Sequence, residues 1–138
     1  MKVVIDTNII VLGLLSPFGP SGEIVRMIAS GELELCHDSR ILSEYKEVLL
    51  RPKFSFDANC INDLLIQIES CGYTAGALPL KRSLPDKSDE PFLEAALTGK
   101  ARCLVTGNII HYPVSGRHGM TVVTPKEFLE IYKKESNP

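Results

Sequence analysis

With 138 residues the chain has the length of one ordinary domain, enough to bury a single substantial core. Its 44% hydrophobic and 23% charged content describe a globular protein, and no apolar run is long enough to cross a bilayer. A net charge of −2 argues against a tight nonspecific nucleic-acid binder, but not against a nuclease, whose acidic site would mask nearby Lys and Arg in the count.

The N-terminus does not resemble a signal peptide, because Lys2 precedes only a brief apolar run with a carboxylate inside it, so the cytoplasm is the expected location. That run, Val3 to Ile5, reads as a strand buried on both faces that delivers Asp6 at its C-terminal end. Two readings of Asp6 stand side by side. It is a helix cap, as Thr7 and Asn8 also suggest, or a metal ligand, since ligands of open α/β sheets gather beyond the carboxyl ends of strands. Ile9 to Leu15 follows as a short helix, ended by Ser16-Pro17-Phe18-Gly19-Pro20.

Ser21 is the expected N-cap of a second helix with Ile24, Val25, Ile28 and Ala29 as its apolar stripe and Gly31 as its stop. Leu33 and Leu35 alternate with Glu32 and Glu34, the period of a strand running to about Cys36. Asp38 or Ser39 then caps a third helix carrying Ile41, Leu42, Tyr45, Val48 and Leu49. At about 100° per residue Glu44 lies on the flank of that stripe and can point inward, whereas Glu47 faces solvent. Arg51-Pro52 closes the helix, and Asp57 caps the next, with Ile61, Leu64, Leu65 and Ile68 inward and Gly72 at its end.

Tyr73 to Leu80, broken by Gly76 and Pro79, reads as an irregular or edge strand. The polar loop Lys81 to Asp89 leads into a compact helix, Phe92 to Leu97, capped by Ser88 or Asp89 with Pro91 in its first turn. Cys103-Leu104-Val105 is another buried strand with the turn Gly107-Asn108 at its C-terminal end. Thr121-Val122-Val123 is a last strand, and Thr124-Pro125-Lys126-Glu127 a capping box opening a helix to about Lys134, with Glu135 to Pro138 as a frayed tail. Strands alternating with helices predict an α/β domain spanning residues 1–138: a mostly parallel central sheet covered on both faces.

The four cysteines, Cys36, Cys60, Cys71 and Cys103, show neither C-x-x-C pairing nor zinc-like spacing with histidines and read as buried free thiols. Cys60 and Cys71 on one helix would stand about 16 Å apart, too far for a bridge.

Four polar groups thus fall at equivalent places: Asp6 and Asn108 after strands, Glu44 on a helix flank, and Asp89 at a helix start. Three are carboxylates. If the sheet order gathers them they repel unless a cation sits among them, and an all-oxygen set suits Mg²⁺ or Mn²⁺ rather than Zn²⁺. A hard divalent ion held this way activates a water and stabilises the leaving oxygen of a phosphodiester.

VVIDTNII, SEYKEVLLRPKF, DEPFLEAAL, CLVTGN and VVTPKEFLE, in that order, resemble the PIN domain family, and within it the bacterial ribonucleases grouped with VapC-type toxins. The resemblance covers nearly the whole chain and implies a three-layer α/β/α sandwich and a metal-dependent endoribonuclease using Mg²⁺ or Mn²⁺. It assigns the first acid to Asp6, the helix glutamate to Glu44 and the third acid to Asp89, with Asp86 and Glu90 close neighbours of that position. The fourth acid, usually found after Thr-Gly, is Asn108 here. An Asn carbonyl still ligates, but the site loses a charge and should hold one cation more tightly than two. The family also implies an RNA substrate, a small antitoxin that blocks the site, and a homodimer; the lack of a long apolar run leads to the expectation of no membrane partner.

Thr7, Asn8 and Thr106 are expected to support the acids by hydrogen bonds or to serve as caps and turn residues. His111 either stays solvated or contacts a phosphate, and Tyr112 is available to stack on a base. Lys81, Arg82, Lys87, Arg117 and His118 are loop charges that would frame an RNA groove if they are more than solvated surface. The competing expectation is a noncatalytic RNA-binding or protein-docking module, for which Asn108 is the sequence support. An acid-pocket phosphatase or phosphoreceiver is weaker, because a D-x-D motif would need Asp where Asn8 stands.

Overall fold

The computed structural model describes residues 1–136 of the chain. Five strands, β1 (Lys2–Ile5), β2 (Glu34–His37), β3 (Tyr73–Thr74), β4 (Cys103–Val105) and β5 (Val122–Val123), form one sheet in the order β3-β2-β1-β4-β5. Every pairing is parallel, with Val3 opposite Leu35 on one side and Cys103 on the other. Consecutive residues of β1 and β4 are wholly buried, and since neighbours on a strand point to opposite faces, both faces must be covered. Six helices do so: α1 (Thr7–Leu15), α2 (Pro20–Ala29), α3 (Ser39–Leu49), α4 (Ala58–Cys71), α5 (Glu90–Thr98) and α6 (Pro125–Ser136).

The order reverses at β1: the chain moves outward through β2 and β3 on one side, then returns to place β4 and β5 on the other. The carboxyl ends of β1 and β4 therefore lie side by side, with Ile5 paired to Val105 and the Asp6 amide donating to the Val105 carbonyl. That is where a crevice opens in a doubly wound sheet.

Local chemistry explains most element boundaries. Asp38 accepts from the amides of Arg40 and Ile41 at the start of α3, and Asp57 from those of Asn59 and Cys60 at the start of α4. Thr124 and Glu127 close their capping box in both directions, at 2.9 and 3.2 Å. Tyr45, buried at the centre of α3, donates its hydroxyl to the Ile5 carbonyl and ties that helix to β1 just before Asp6. Gly13 has no alternative where α1 crosses α2, since a Cβ there would meet the Ser21 carbonyl oxygen at 2.5 Å.

Several expectations are corrected. Helix α1 starts two residues early, at Thr7. Helix α2 begins at Pro20 with Gly19 before it, so Ser21 is inside the first turn and does not cap; Met27 rather than Ala29 completes its buried stripe. Strand β2 extends to His37, and Leu35, Cys36 and His37 are all buried, because helices lie against both faces where alternation had suggested one. Strand β3 is cut to two residues at the sheet edge, as Gly76 and Pro79 require. Only Cys36 and Cys103 are buried thiols, whereas Cys60 and Cys71 are exposed on α4. Helix α6 continues through Glu135 and Ser136, and the remainder of the expected tail lies outside the described residues. No single helix among the described residues is long and apolar enough to cross a bilayer; α1 and α2 are jointly apolar but meet at 104°, and most of their apolar side chains enter the core.

Candidate metal centre

Asp6, Glu44, Asp89 and Asn108 line one cleft of about 190 Å³, together with Thr7, Asn8, Val48, Arg51, Asp86, Ser88 and His111. Four elements build it. Strand β1 ends in Asp6, whose backbone is still extended while its carbonyl already accepts from the Ile9 amide of α1. Asp6 thus holds the cap position, but its carboxylate makes no capping hydrogen bond. It accepts instead from Thr106 Oγ1 at 2.9 Å, and that hydroxyl in turn receives the Asn108 amide at 3.1 Å, fastening the ends of β1 and β4 together.

Helix α3 supplies Glu44, half-buried as its flanking position requires, with one oxygen held by the Thr7 hydroxyl. Glu47 is exposed. The single 3-10 turn Lys87–Asp89 supplies Asp86 and Asp89, with Asp86 accepting from Ser88 through both the amide and the hydroxyl. Asp89 holds the N-cap position of α5, as expected, but its carboxylate makes no capping hydrogen bond, and its Oδ2 is buried without a hydrogen-bond donor. Glu90 is turned away to receive the Leu84 amide, which leaves Asp86 and Asp89 as the acids of that segment in the cleft.

The turn Ile109–His111, following β4, folds the chain back so that His111 Nδ1 lies 3.2 Å from Asp89 Oδ2, close enough for charge attraction but outside hydrogen-bond geometry. Asn108 and Asn8 line the cleft as well.

Four carboxylates thus share a small space with one guanidinium, Arg51, and one imidazole. Burial raises the pKa of Asp6 above its ordinary value, against the hydroxyl of Thr106 and the amides that open α1, which pull it down. Glu44 is raised by burial and by Asp6, with Thr7 opposing. Asp89 is pushed up to about 6, by burial first and then by the charges of Asp6 and Asp86. Buried anions under such mutual repulsion, one with an orphaned oxygen, are the surroundings in which a hard divalent cation is bound, and the oxygen donors present fit that group.

Of the other expected contacts, Tyr112 is overturned: its side chain is fully buried in the core, so no face is open for a base. The breaker-rich sequence around it suggested an exposed loop, but the turn on either side folds the ring inward, and Arg117 Nε donates to its carbonyl at 2.6 Å. Lys81 and His118 line a different groove, beside Leu78, Leu80 and Leu97. Arg82 donates to the Ser115 carbonyl, and Lys87 is exposed next to Asp86; neither lines the acidic cleft.

The cation that does line it, Arg51, is not singled out by sequence reasoning, although seven residues after Glu44 on a helical path bring a side chain back within about 20° of the same face. Asp86 was visible only as a neighbour of Asp89; its signal is the three-residue spacing, which a 3-10 turn eclipses.

The PIN domain family model matches residues 2–110, most of the chain and all four strands that build the cleft's surroundings up to Asn108. The chain belongs to the PIN domain family. It is also 28% identical over 146 aligned positions to the uncharacterized protein MJ1680 of Methanocaldococcus jannaschii, covering 97% of this chain and 93% of that one. PIN domains are in general nucleases that act on nucleic acid with divalent metals, and many are paired with antitoxins. The acidic cleft of this PIN domain lies at the reversal point of its sheet.

Proposed function

We propose that this single-domain PIN protein is a Mg²⁺- or Mn²⁺-dependent endoribonuclease, the toxin of a toxin-antitoxin pair, acting in the cytoplasm. The observation that carries the reading is the convergence of Asp6, Glu44 and Asp89 on one cleft with an orphaned buried carboxylate oxygen. A divalent cation, when bound there, supplies positive charge for the phosphodiester and acidifies a water. Asp6, Glu44 and Asp89 hold the cation with the Asn108 carbonyl assisting, and the hydroxyls of Thr106 and Thr7 fix the orientation of Asp6 and Glu44.

Asp89, facing the same cleft, orients the attacking water and accepts its proton as the P–O bond to the leaving ribose oxygen breaks. Arg51 offers the cleft's one permanent positive charge to the non-bridging phosphate oxygens. A small antitoxin that fills the cleft, and pairing of two copies of the chain, belong to the same reading.

Asn108 sets the test. Calorimetric Mn²⁺ titration and cleavage of a single-stranded RNA are compared for the natural protein and Asn108→Asp. Metal uptake with cleavage in the natural protein, strengthened by the added carboxylate, is the expected result. Tight RNA binding with neither metal uptake nor cleavage in either form would make the protein a noncatalytic RNA-binding or docking module instead.

A further inference from the structure

Glu94 is a buried carboxylate with no place in the acidic cleft, 7% exposed in the middle of α5. Its two oxygens engage different parts of the chain. Oε1 accepts from Arg40 Nη1 at 2.7 Å, and Oε2 accepts from the Leu80 amide at 3.2 Å. Arg40 stands in the first turn of α3, the helix that presents Glu44 one turn further on, and its Nε and Nη2 also reach Asp38, the cap of that helix, at 3.2 and 2.7 Å. Leu80 belongs to the segment 75–86, which has no helix or strand of its own and runs directly into Asp86 and the turn that presents Asp89.

The acceptors on α5 follow the helix repeat. Glu90, Glu94 and Thr98 are spaced four residues apart and form one ridge, which receives in turn the amides of Leu84 at 2.9 Å, Leu80 at 3.2 Å and Leu78 at 3.3 Å. The segment is thereby seamed antiparallel along α5 until it reaches the cleft. Of these three acceptors it is Glu94 that also binds α3. Apolar packing between the two helices, such as the tilted Tyr45 and Phe92 rings with centroids 6.2 Å apart, holds them together but has no direction, whereas the Arg40 fork on two carboxylates fixes their register. An apolar side chain at position 94 would fill the core without the cost of burying a charge, so the value of the carboxylate lies in geometry.

We propose that Glu94 is a positioning residue for the metal centre: through Arg40 and the Leu80 amide it sets the spacing between Glu44 on α3 and the Asp86–Asp89 segment, and so the affinity of the cleft for a divalent cation, without touching the ion or the RNA. The inference deepens the metal-dependent reading of the cleft and rests on it. A hard cation takes its oxygen donors at about 2.1 Å in near-ideal geometry, so a small displacement of one wall weakens binding. Asp6 is fastened separately, through Thr106, and stays in place when Glu94 is changed.

The test compares calorimetric Mn²⁺ affinity of the full chain with its melting temperature in EDTA, for the natural protein, Glu94→Gln, and the double substitution Arg40→Met with Glu94→Met. Thr124→Ala, which opens the capping box of α6, is the control for lost stability alone. Glu94→Gln keeps an acceptor for Leu80 and loses the charge that holds Arg40, and the apolar pair stays folded, as replacements of buried ion pairs commonly do. Both should bind Mn²⁺ about tenfold more weakly, with RNA cleavage recovering as Mn²⁺ is raised to saturation, whereas Thr124→Ala should melt lower at unchanged affinity. Mn²⁺ affinity within about twofold of the natural value in either folded Glu94 variant, or an equal loss in Thr124→Ala, overturns the proposal and leaves the nuclease reading standing where Asp6→Asn abolishes cleavage. Weakened Mn²⁺ binding by the Glu94 variants of a protein that cleaves no RNA does the reverse, and a natural protein that takes up no Mn²⁺ defeats both.

Discussion

Replacing Asp89 by Asn should make the metal-free protein more stable, even though it removes a proposed ligand. The carboxyl is nearly buried, faces Asp6 and Asp86, and has its pKa raised from 3.8 to about 6. A raised carboxylate pKa means that the folded state holds the proton more tightly than the unfolded chain, so folding is penalised once both states are ionised. At 1.36 kcal/mol per pKa unit the penalty is at most about 3 kcal/mol above pH 7, falls to about 1.5 kcal/mol at pH 5, and vanishes below about pH 3.8.

Asn has the shape of Asp without the charge. In EDTA at pH 8, Asp89→Asn should melt up to about 10 °C above the natural protein, and the gap should shrink by half at pH 5. With Mn²⁺ present the order should narrow or invert, because ligation stabilises the natural protein by mass action. Equal melting temperatures in EDTA at pH 8, or a gap that widens toward pH 5, would refute the claim that this carboxylate is held under repulsion.

Arg51→Ala should leave the unfolding free energy within about 0.5 kcal/mol of the natural value, as an exposed residue in a weak pair with Glu47 would. It should nevertheless weaken binding of a short single-stranded RNA and reduce the slope of log affinity against log salt by about 0.7, the signature of one lost phosphate contact, measured by fluorescence anisotropy. Tyr45→Phe deletes the buried hydrogen bond to the Ile5 carbonyl and should cost about 1–3 kcal/mol in urea unfolding, since the carbonyl is left without that donor.

Much of this was readable from residue order because it rests on local physics. Runs such as Val3 to Ile5 and Cys103 to Val105 are apolar at consecutive positions, which only a strand covered on both faces tolerates, and the polar residues just beyond them were thereby placed at the carboxyl edge. Helical periodicity separated Glu44 from Glu47 for the same reason.

What failed was long-range or depended on one turn. Tyr112 follows a strand and precedes Pro113, a context typical of an exposed loop, yet tertiary packing buries the ring. Asp86 and His111 lie 25 residues apart in sequence and meet only because two separate 3-10 turns face each other across Asp89. Arg51 was passed over because a basic residue before a proline reads as a helix end; it lies just past the end of α3 and opens the 3-10 turn Pro52–Phe54.

The central claim is that Asp6 and its neighbours form a metal-dependent hydrolytic site, and cleavage of a single-stranded RNA by the natural protein and by Asp6→Asn, each with Mn²⁺ and with EDTA, tests it most directly. The account predicts internal cleavage by the natural protein that EDTA abolishes, and no cleavage by an Asp6→Asn protein whose circular dichroism and melting curve show it folded. Cleavage that persists in EDTA, or survives in folded Asp6→Asn, would contradict it.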